Sequence, residues 1–512
     1  MTSRVLGLVR EQVLAFLFGA GNEMDAFNVA FRIPNLFRDL FAEGGMSAAF
    51  VPTFTRRLTL EGRDAAWRLG NYVINALLVV TLGLVVIGVV FAQPLVVLFA
   101  SDYATVPGKL SLTVALTRVI FPFLTLVAVA AACMGMLNSL HRFFLPALSP
   151  VMFNIATIAC AILLVPLMPL VHLPRIMAIA FGALVGGVGQ AAVQWPALRR
   201  EGFRYRPALN VHDEGLRQVL VLMGPGLVGL AAVQINLFVN TVLATGQGTG
   251  AVSWLNYAFR LMYMPIGLFG VSIATAALPT LSRQAAQGEL AGMRETLSSG
   301  LRMMLMLNVP ATAGLIALAL PIVALIFQHG SFTRADSGAT ALALACYAPG
   351  LVGYSAVRFA VPAFYALHDS RTPVTVSVAT VLLNVALNIA LVRAIGYPGL
   401  ALGTAVASLF NAVVLLWLLR ARLDGLDEGR LTTSFVKIGV ASIVMGVAAW
   451  QANGVLLRAV AGEAVLPRLI RVSGDIAFAL AVLVLAARVL RIAEFAEAIA
   501  TVRRRIFGAV HQ

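Results

Sequence analysis

Long apolar stretches alternate with short polar segments along almost the whole chain. Residues 72–92 (YVINALLVVTLGLVVIGVVFA) are the plainest apolar stretch, and residues 474–487 lie at the centre of another one. A helix needs about 20 apolar residues to cross ~30 Å of hydrocarbon. The pattern predicts about 14 transmembrane helices, within residues 5–20, 24–50, 72–98, 112–138, 146–168, 174–196, 216–244, 250–280, 300–327, 336–366, 373–393, 397–420, 433–452 and 472–490.

The loops between these spans fall into two alternating sets. One set is nearly bare and includes GAGNEMD, SDYATVPGK and ATGQGTG. The other set is basic and carries Arg56, Arg57, Arg63, Arg68, Arg142, Arg199, Arg200, Arg204, Arg206, Arg283, Arg294, Arg371, Arg420, Arg422 and Arg430. Basic loops stay on the cytoplasmic side of a membrane. Because the span count is even, we expect both termini in the cytoplasm.

An internal repeat appears when the chain is shifted by 227 residues, the difference between 279 and 52. The shift superimposes Pro52 on Pro279, Arg56 on Arg283, Pro94 on Pro321, Pro122 on Pro349 and Pro146 on Pro373. Each repeat covers six spans, an even number, so the two halves must be parallel. The sequence therefore predicts an all-α polytopic membrane protein with two six-helix lobes around a central cavity and two extra C-terminal helices. The predicted parts are an N-terminal lobe (1–200), a C-terminal lobe (216–422), an appendage (431–491) and a basic cytoplasmic tail (492–512).

Composition agrees with a membrane protein. Hydrophobic residues make up 60% of the chain and charged residues 12%, and the mean hydropathy is +0.91. The net charge of +15 fits basic loops beside anionic lipid better than nucleic-acid binding. Three cysteines lie in apolar stretches without metal-ligand spacing, and we expect small core residues there. Two lobes with short, bare outer loops favour a transporter over a channel or a membrane enzyme.

Several arginines interrupt the first spans and the eighth. An arginine at the centre of a bilayer costs about 2.5–3.5 kcal/mol on insertion scales, so it needs a wet interior or a partner. Arg10 and Arg38 lie in the first lobe and Arg260 in the second. A guanidinium pairs with phosphate oxygens through two parallel hydrogen bonds. We expect an anion-binding cavity between the lobes, while the alternative for each arginine is snorkelling or an internal ion pair such as Arg10–Glu11.

Four polar residues leave their roles open. Asp25 stands near a helix start, where it is either an N-cap or a gating or ion-coupling acid. Glu43 is either a cap or a partner for an arginine of the first span. Asn384 and Asn388 share one helix face, which favours packing between helices over ion binding.

Several segments closely resemble one family along nearly the whole chain. They are SRVLGLVRE (3–11), FGAGNEMDAFNVAFRIPNLFRDLFAEGGMSAAFVP (18–52), NYAFRLMYMPIGLFGVSIATAALPTLSR (256–283) and FYALHDSRTPV (364–374). The chain resembles the MurJ (MviN) family of lipid II flippases, within the multidrug/oligosaccharidyl-lipid/polysaccharide exporter superfamily. The chain departs from the family at Asp39, where a second basic residue is common, and at Phe259, where an acid is usual. Only two residues precede the first motif, so we expect either a longer natural product or a short, tilted first span.

The resemblance implies a flippase that moves the lipid-linked peptidoglycan precursor, lipid II, from the cytoplasmic to the periplasmic leaflet of a bacterial inner membrane. It implies that Arg4, Arg10, Arg38 and Arg260 line the cavity and bind the substrate. It also implies that Asp25 is important for function, that Glu43 lies at the inward gate, and that the two extra helices hold the prenyl tail. Membrane lipids and proteins of cell-wall synthesis and division are the partners expected, without nucleic acid.

Catalytic residues, metal ligands and cofactors are not expected. No phosphate-binding loop for a nucleotide occurs, so the energy source is expected to be a coupling ion or the membrane potential. The alternative function is a drug, cation or other lipid-linked oligosaccharide exporter of the same superfamily, and a drug or cation exporter would prefer acidic cavity residues. A membrane glycosyltransferase or polymerase is a third hypothesis, and it would depend on outer-loop acids such as Asp102 and Glu463.

Overall fold

The computed structural model describes residues 2–39, 45–266, 271–460 and 462–495, and within these ranges it contains helices and no β-strand. The prediction of an all-α fold is confirmed. The helices are α1 (Thr2–Phe18), α2 (Asn22–Arg38), α3 (Gly45–Leu60), α4 (Arg63–Val90), α5 (Ala92–Ala100), α6 (Lys109–Ile120), α7 (Phe123–Ser139), α8 (Phe144–Leu164), α9 (Met177–Arg200), α10 (Glu214–Thr245), α11 (Ala251–Pro265), α12 (Val271–Ala286), α13 (Leu290–Ala317), α14 (Ala319–Phe327), α15 (Arg334–Tyr347), α16 (Gly350–Ala366), α17 (Arg371–Ile395), α18 (Tyr397–Arg422), α19 (Glu428–Ala459) and α20 (Val465–Val489).

Many of these helices are long and apolar enough to cross a membrane. Within the described ranges there are nine such spans, namely α4, α6 with α7, α8, α9, α13, α17, α18, α19 and α20. Helices α15 and α16 form a tenth candidate that bends by 43°. Large apolar side chains are exposed along them, as at Val79 and Val86 of α4, which suits contact with lipid. The predicted polytopic membrane class is confirmed, and the count of fourteen spans stays a prediction.

Proline positions explain why some predicted spans are broken into two helices. The stretch 72–98 was expected to be continuous, but α4 ends at Val90 and α5 begins at Ala92. Pro94 follows Val90 by four residues, and a proline ring clashes with the carbonyl group four residues before it. Pro321 stands in the same relation to Ala317, where α13 ends.

Helix bounds recur at the spacing that the sequence predicts. The starts of α4 and α13 differ by 290 − 63 = 227 residues, and their ends differ by 317 − 90 = 227. The starts of α5 and α14 differ by 319 − 92 = 227, and those of α7 and α16 by 350 − 123 = 227. The same chemistry at the same spacing therefore produces the same local structure twice. The arrangement of the two lobes around a cavity stays a prediction.

The chain divides into two compact units. The first comprises Met1–Ser253 with His329–Phe332, and the second comprises Trp254–Gln328 with Thr333–Gln512. In the first unit the rings of Phe54, Trp67 and Phe203 form a continuous aromatic contact, with centroids 5.7 and 5.4 Å apart. In the second unit Gly353 lets α16 approach the backbone of Ser408 so closely that a Cβ atom would clash. The predicted boundaries at 1–200, 216–422, 431–491 and 492–512 stay predictions.

The two C-terminal helices pack on the rest of the second unit through apolar and polar contacts. Ile438 and Met445 of α19 and Leu483 of α20 share a buried cluster with Met306 of α13. Near the start of α20, Arg468 donates hydrogen bonds to the carbonyl groups of Ala324 (3.2 Å) and Gln328 (2.8 Å) at the end of α14. Cations suit a helix C-terminus because its last carbonyl groups have no partner within the helix.

Beyond the other end of α20, Glu494 attaches the chain to the same unit. Its carboxylate accepts hydrogen bonds from Arg302 of α13 (3.0 Å) and Ser434 of α19 (2.7 Å). Polar contacts therefore attach the α19–α20 pair near both ends of α20.

An ion pair attaches the start of α10 to the end of α3 in the first unit. Asp213 is the N-cap of α10, accepting a hydrogen bond from the Leu216 amide, and its carboxylate lies 2.7 Å from Arg57. Burial alone would raise the pKa of Asp213, but the hydrogen bonds from Arg57 and Leu216 outweigh it and hold the pKa below its usual value.

We expect Asp213→Asn to lower the thermal unfolding temperature at neutral pH. A carboxyl whose pKa falls on folding stabilises the native state above its unfolded pKa, about 3.9, and loses this effect as pH falls through the folded value. The difference from wild type should therefore shrink as the pH falls below about 4. Thermal unfolding in detergent across a pH series measures this, with exposed Asp64→Asn as control. A difference that did not change with pH would contradict the ion-pair explanation.

Candidate functional site

Asp25 is the centre of a buried polar cluster in the first unit. Its side chain is inaccessible to solvent, and one oxygen, Oδ2, lies 2.9 Å from Nζ of Lys109. The Gly250 amide donates to the same oxygen at 2.7 Å. The Ser253 amide (3.1 Å) and hydroxyl (2.7 Å) donate to Oδ1. A carboxylate with a countercharge and three further donors is stable in a dry interior, where an isolated one would not be.

The start of α2 excludes the interpretation of Asp25 as an N-cap. Gly21 is the N-cap of α2, and Asp25 lies inside the first turn of that helix. The N-cap interpretation is therefore wrong. Asp25 instead joins α2, the start of α6 and the first turn of α11. Its role as a gating or coupling acid stays a prediction.

Lys109 is the partner that sequence reasoning missed. Its side chain is 2% exposed, and its ammonium group lies 4.1 Å from the centroid of the Tyr103 ring, a cation–π contact. The chain has 37 basic residues, of which only Lys109 and Lys437 are lysines. A compact ammonium group fits a small site where a planar guanidinium would not. A lone lysine beside a nearly bare loop was the available signal.

Further hydrogen bonds hold the same end of the first unit together. Asn28 donates to the Ser253 hydroxyl at 3.1 Å, and Thr249 donates to the Asn22 side chain at 2.9 Å. The Ser331 amide donates to the Phe16 carbonyl at 2.8 Å. Gly19, with φ of +63°, lies so close to the Ser331 carbonyl that no side chain fits there. These contacts join residues 249–253 to α2 and Ser331 to the end of α1.

The arginines of α1 lie at different depths. Arg4 is exposed near the start of the helix, while Arg10 is mostly buried with its guanidinium 5.1 Å from the centroid of the Phe153 ring. Arg10 forms a 2.6 Å ion pair with Glu11, so the alternative of an internal ion pair is confirmed. The Nε atom of Arg10 is buried and makes no hydrogen bond within the described part of the chain. Arg10 thus keeps donor capacity beyond its pair.

Arg38 also has an acid beside it. Its Nη2 and Nε atoms lie 2.7 and 3.1 Å from Oδ1 of Asp39. Gln234 of α10 donates to the other oxygen of Asp39 at 3.3 Å. Asp39 therefore orients the arginine. About a fifth of each side chain in the pair is exposed, so an anion could reach it.

Arg260 lies on α11 within the second unit and is partly buried. Its neighbour Phe259 stacks on Tyr263 with ring centroids 5.6 Å apart and meets Tyr347 edge-on at 5.5 Å. Arg358 of α16 hydrogen-bonds the Tyr263 hydroxyl. Phe259 therefore forms an aromatic cluster with Tyr263 and Tyr347, one residue before Arg260 in the sequence.

The other polar residues singled out in the sequence are Glu43, Asn384 and Asn388. Glu43 lies outside the described residues. Asn384 and Asn388 are buried, and Asn388 donates to Asn384 at 2.7 Å, in keeping with a structural role. No group of three metal-ligating side chains occurs among the residues that the structure describes. The substrate-binding roles of Arg4, Arg10, Arg38 and Arg260 stay predictions.

Comparison with known proteins finds relatives over most of the chain. Residues 14–470 match the family described as "Lipid II flippase MurJ". A protein of Burkholderia cenocepacia named "Lipid II flippase MurJ" is 35% identical over 458 residues, which is 88% of this chain and 88% of its own length. A "Probable lipid II flippase MurJ" of Vibrio cholerae is 35% identical over 426 residues, 81% of this chain and 80% of its own.

Solved structures agree with these matches. A "Lipid II flippase MurJ, inward closed conformation" superimposes with a TM-score of 0.76 at 25% identity, covering 95% of this chain and 97% of its own. An inward-facing multidrug resistance MATE family transporter of the MOP superfamily gives a TM-score of 0.69 at 16% identity, covering 83% of this chain and 96% of its own. The second likeness concerns the fold alone.

Proposed function

Because the chain belongs to the MurJ family of lipid II flippases, we propose that it moves lipid II from the cytoplasmic to the periplasmic leaflet of a bacterial inner membrane. Membership makes the chain a transporter rather than an enzyme, as the sequence predicted. Both termini are proposed to lie in the cytoplasm, on the side of the basic loops. Proteins of cell-wall synthesis and division are its proposed partners beside membrane lipids.

The Asp25 cluster is the observation that carries the mechanism. It joins residues 250–253 to α2 and to the start of α6, next to bare loops that the charge pattern assigns to the periplasmic side. We propose alternating access, in which this cluster forms when the outer end is closed and breaks when it opens. Breaking it exposes Asp25 and Lys109 to water, which replaces the lost hydrogen bonds, so opening requires water to enter. Glu43 is proposed to act at the inward gate.

Arginine chemistry supports pyrophosphate as the group that the protein recognises. Arg4, Arg10, Arg38 and Arg260 are proposed to bind it, each through paired N–H donors. Arg10 and Arg38 are each held by one carboxylate, Glu11 and Asp39, which keeps their charge compensated without substrate. The pyrophosphate supplies more negative charge than one carboxylate and is expected to compete for the guanidinium groups. The α19–α20 pair is proposed to hold the prenyl tail.

The membrane potential is the proposed energy source, with a coupling ion as the alternative and no cofactor. Moving one charge across 100 mV is worth about 2.3 kcal/mol. The cytoplasm is negative, so exporting a doubly charged pyrophosphate is favourable. We propose no role for a nucleotide, since the sequence has no phosphate-binding loop of the P-loop type.

A reconstituted flipping assay tests the proposal. The purified chain, reconstituted in vesicles with fluorescent lipid II, should move the lipid from the inner to the outer leaflet. This movement should be faster when the vesicle interior is negative, as the cytoplasm is. Empty vesicles and vesicles with a lipid lacking the pyrophosphate serve as controls. Export of cationic dyes without movement of lipid II would instead support the drug or cation exporter. An unchanged rate after collapse of the potential would point to an ion gradient.

A further inference from the structure

Asp475 is a buried carboxyl in a membrane-spanning helix that the proposed transport mechanism does not use. It lies in α20, and its side chain is inaccessible to solvent. Both carboxyl oxygens are buried, and neither makes a hydrogen bond to any residue that the structure describes. The buried residues of this helix are Arg468, Val472, Asp475, Ala479, Leu483 and Ala487. All of them except Arg468 and Asp475 are apolar.

Charged groups are scarce around Asp475 on every element that packs against α20. The facing helix α14 has no titratable residue. Those of α13 lie in its first half (Arg294, Glu295, Arg302), and those of α19 lie near its ends (Glu428, Arg430, Lys437, Arg458). Gly474 packs against Leu456 of α19, and Arg458, two residues further along that helix, is exposed.

On α20 itself, two arginines precede Asp475. Arg468 lies two turns away, about 10 Å along the axis at 1.5 Å per residue, and is engaged with the carbonyl groups at the end of α14. Arg471 lies one turn away, about 6 Å along the axis, and donates to the Gly462 carbonyl at 3.0 Å. Glu463, in the preceding loop, is 3.9 Å from Arg468.

An ionised carboxylate is unfavourable in such a setting, since it lacks both hydrogen bonds and a countercharge in contact. A metal ion would need further ligands, and no group of three His, Cys, Asp or Glu side chains occurs among the described residues. A proton requires no further ligand, because its binding converts the carboxylate to a neutral acid. An ionisable side chain within a membrane is a candidate functional site on these grounds.

We propose that Asp475 is a proton-binding site of the α19–α20 pair, protonated in this structure and paired with Arg471 after it loses its proton. The proton leaves the carboxyl oxygen for water, and the resulting anion attracts the guanidinium four residues earlier on the same helix face. Arg471 then releases the Gly462 carbonyl. Proton binding thus controls a contact between the start of α20 and the loop that follows α19.

Infrared difference spectroscopy of the full chain in lipid vesicles tests the proposal directly. Wild-type protein should show the carbonyl stretch of a protonated carboxylic acid, which is lost as pH rises. Asp475→Asn should lack this band, while Asp213→Asn should keep it because Asp213 is already ionised in its pair with Arg57. Arg471→Gln should move the titration to higher pH, because its positive charge favours the anion.

Stability gives a second readout that does not depend on transport. A carboxyl held neutral by the fold destabilises the native state as pH rises, because the unfolded chain ionises more readily. The unfolding temperature of wild type should therefore fall with rising pH relative to Asp475→Asn, which should be at least as stable at neutral pH. A band that persists in Asp475→Asn, a band absent from wild type at low pH, or an Asp475→Asn protein that unfolds more easily would overturn the proposal.

Discussion

Asp25→Ala is expected to abolish transport in cells that depend on this chain. The change leaves the Lys109 ammonium group buried without its countercharge and removes the acceptor for the Gly250 amide and for the amide and hydroxyl of Ser253. Removing one partner of a buried ion pair costs about 3–5 kcal/mol. Since about 1.4 kcal/mol is a factor of ten, the closed state should lose at least a hundredfold in population. Complementation of a depletion strain, with membrane levels of the variant measured in parallel, checks this.

A double-mutant cycle separates the ion pair from a general defect. Lys109→Met alone leaves Asp25 buried and unneutralised, so it should also be damaging. Asp25→Ala combined with Lys109→Met leaves no unpaired charge, and its loss of stability should be smaller than the sum of the two. Asp102→Asn, an exposed acid in the loop that leads to Lys109, is the control and should behave like wild type. Additive losses would mean that the two side chains do not act as a pair.

Arg38→Ala and Arg260→Ala are each expected to reduce flipping of lipid II by about ten- to a hundredfold. Each variant removes charge-assisted hydrogen bonds worth about 1.5–3 kcal/mol, and 1.4 kcal/mol is a factor of ten. Initial rates in vesicles measure the loss, and accumulation of lipid II in the cytoplasmic leaflet should accompany it in cells. The effect should grow for the double variant, because both groups are proposed to bind the same anion.

Two further substitutions test whether the loss of flipping depends on the guanidinium group and on its position. Arg38→Lys keeps the charge but not the two parallel donors, so its rate should fall between those of wild type and Arg38→Ala. Arg63→Ala removes a side chain that is 62% exposed and should leave the rate unchanged. Normal rates for both alanine variants, at wild-type protein levels, would contradict a role for these arginines in binding pyrophosphate.

The helices could be predicted from the sequence because their cause is local. Apolar length predicts a span, but the spans at 72–98 and 300–327 were expected to be continuous, and the local effect of Pro94 and Pro321 breaks both. The Arg10–Glu11 pair was also foreseen, since adjacent residues need no knowledge of the fold. The repeat offset of 227 could be read from the spacing of prolines alone, and the helix bounds carry the same spacing.

Contacts between distant segments could not be predicted in the same way. Asp25 and Lys109 are 84 residues apart, and their pairing depends on how α6 packs against α2. Two acceptable interpretations of Asp25 therefore stayed open until its partners were known. Asp475 was missed for another reason. The mean hydropathy of a span is dominated by its apolar residues, so one acid barely changes it. A single charged residue within a predicted span therefore needs its own interpretation, apart from the mean hydropathy of the span.

The Asp25–Lys109 pair has an electrical consequence. The carboxylate and ammonium groups together carry no net charge, so the field across the membrane does no work when they move as a unit. Only their separation along the membrane normal would register as a gating charge, at about 2.3 kcal/mol per charge for each full 100 mV crossed. In the proposed mechanism, closing the outer end with a pair that has no net charge leaves the membrane potential to act on the transported lipid.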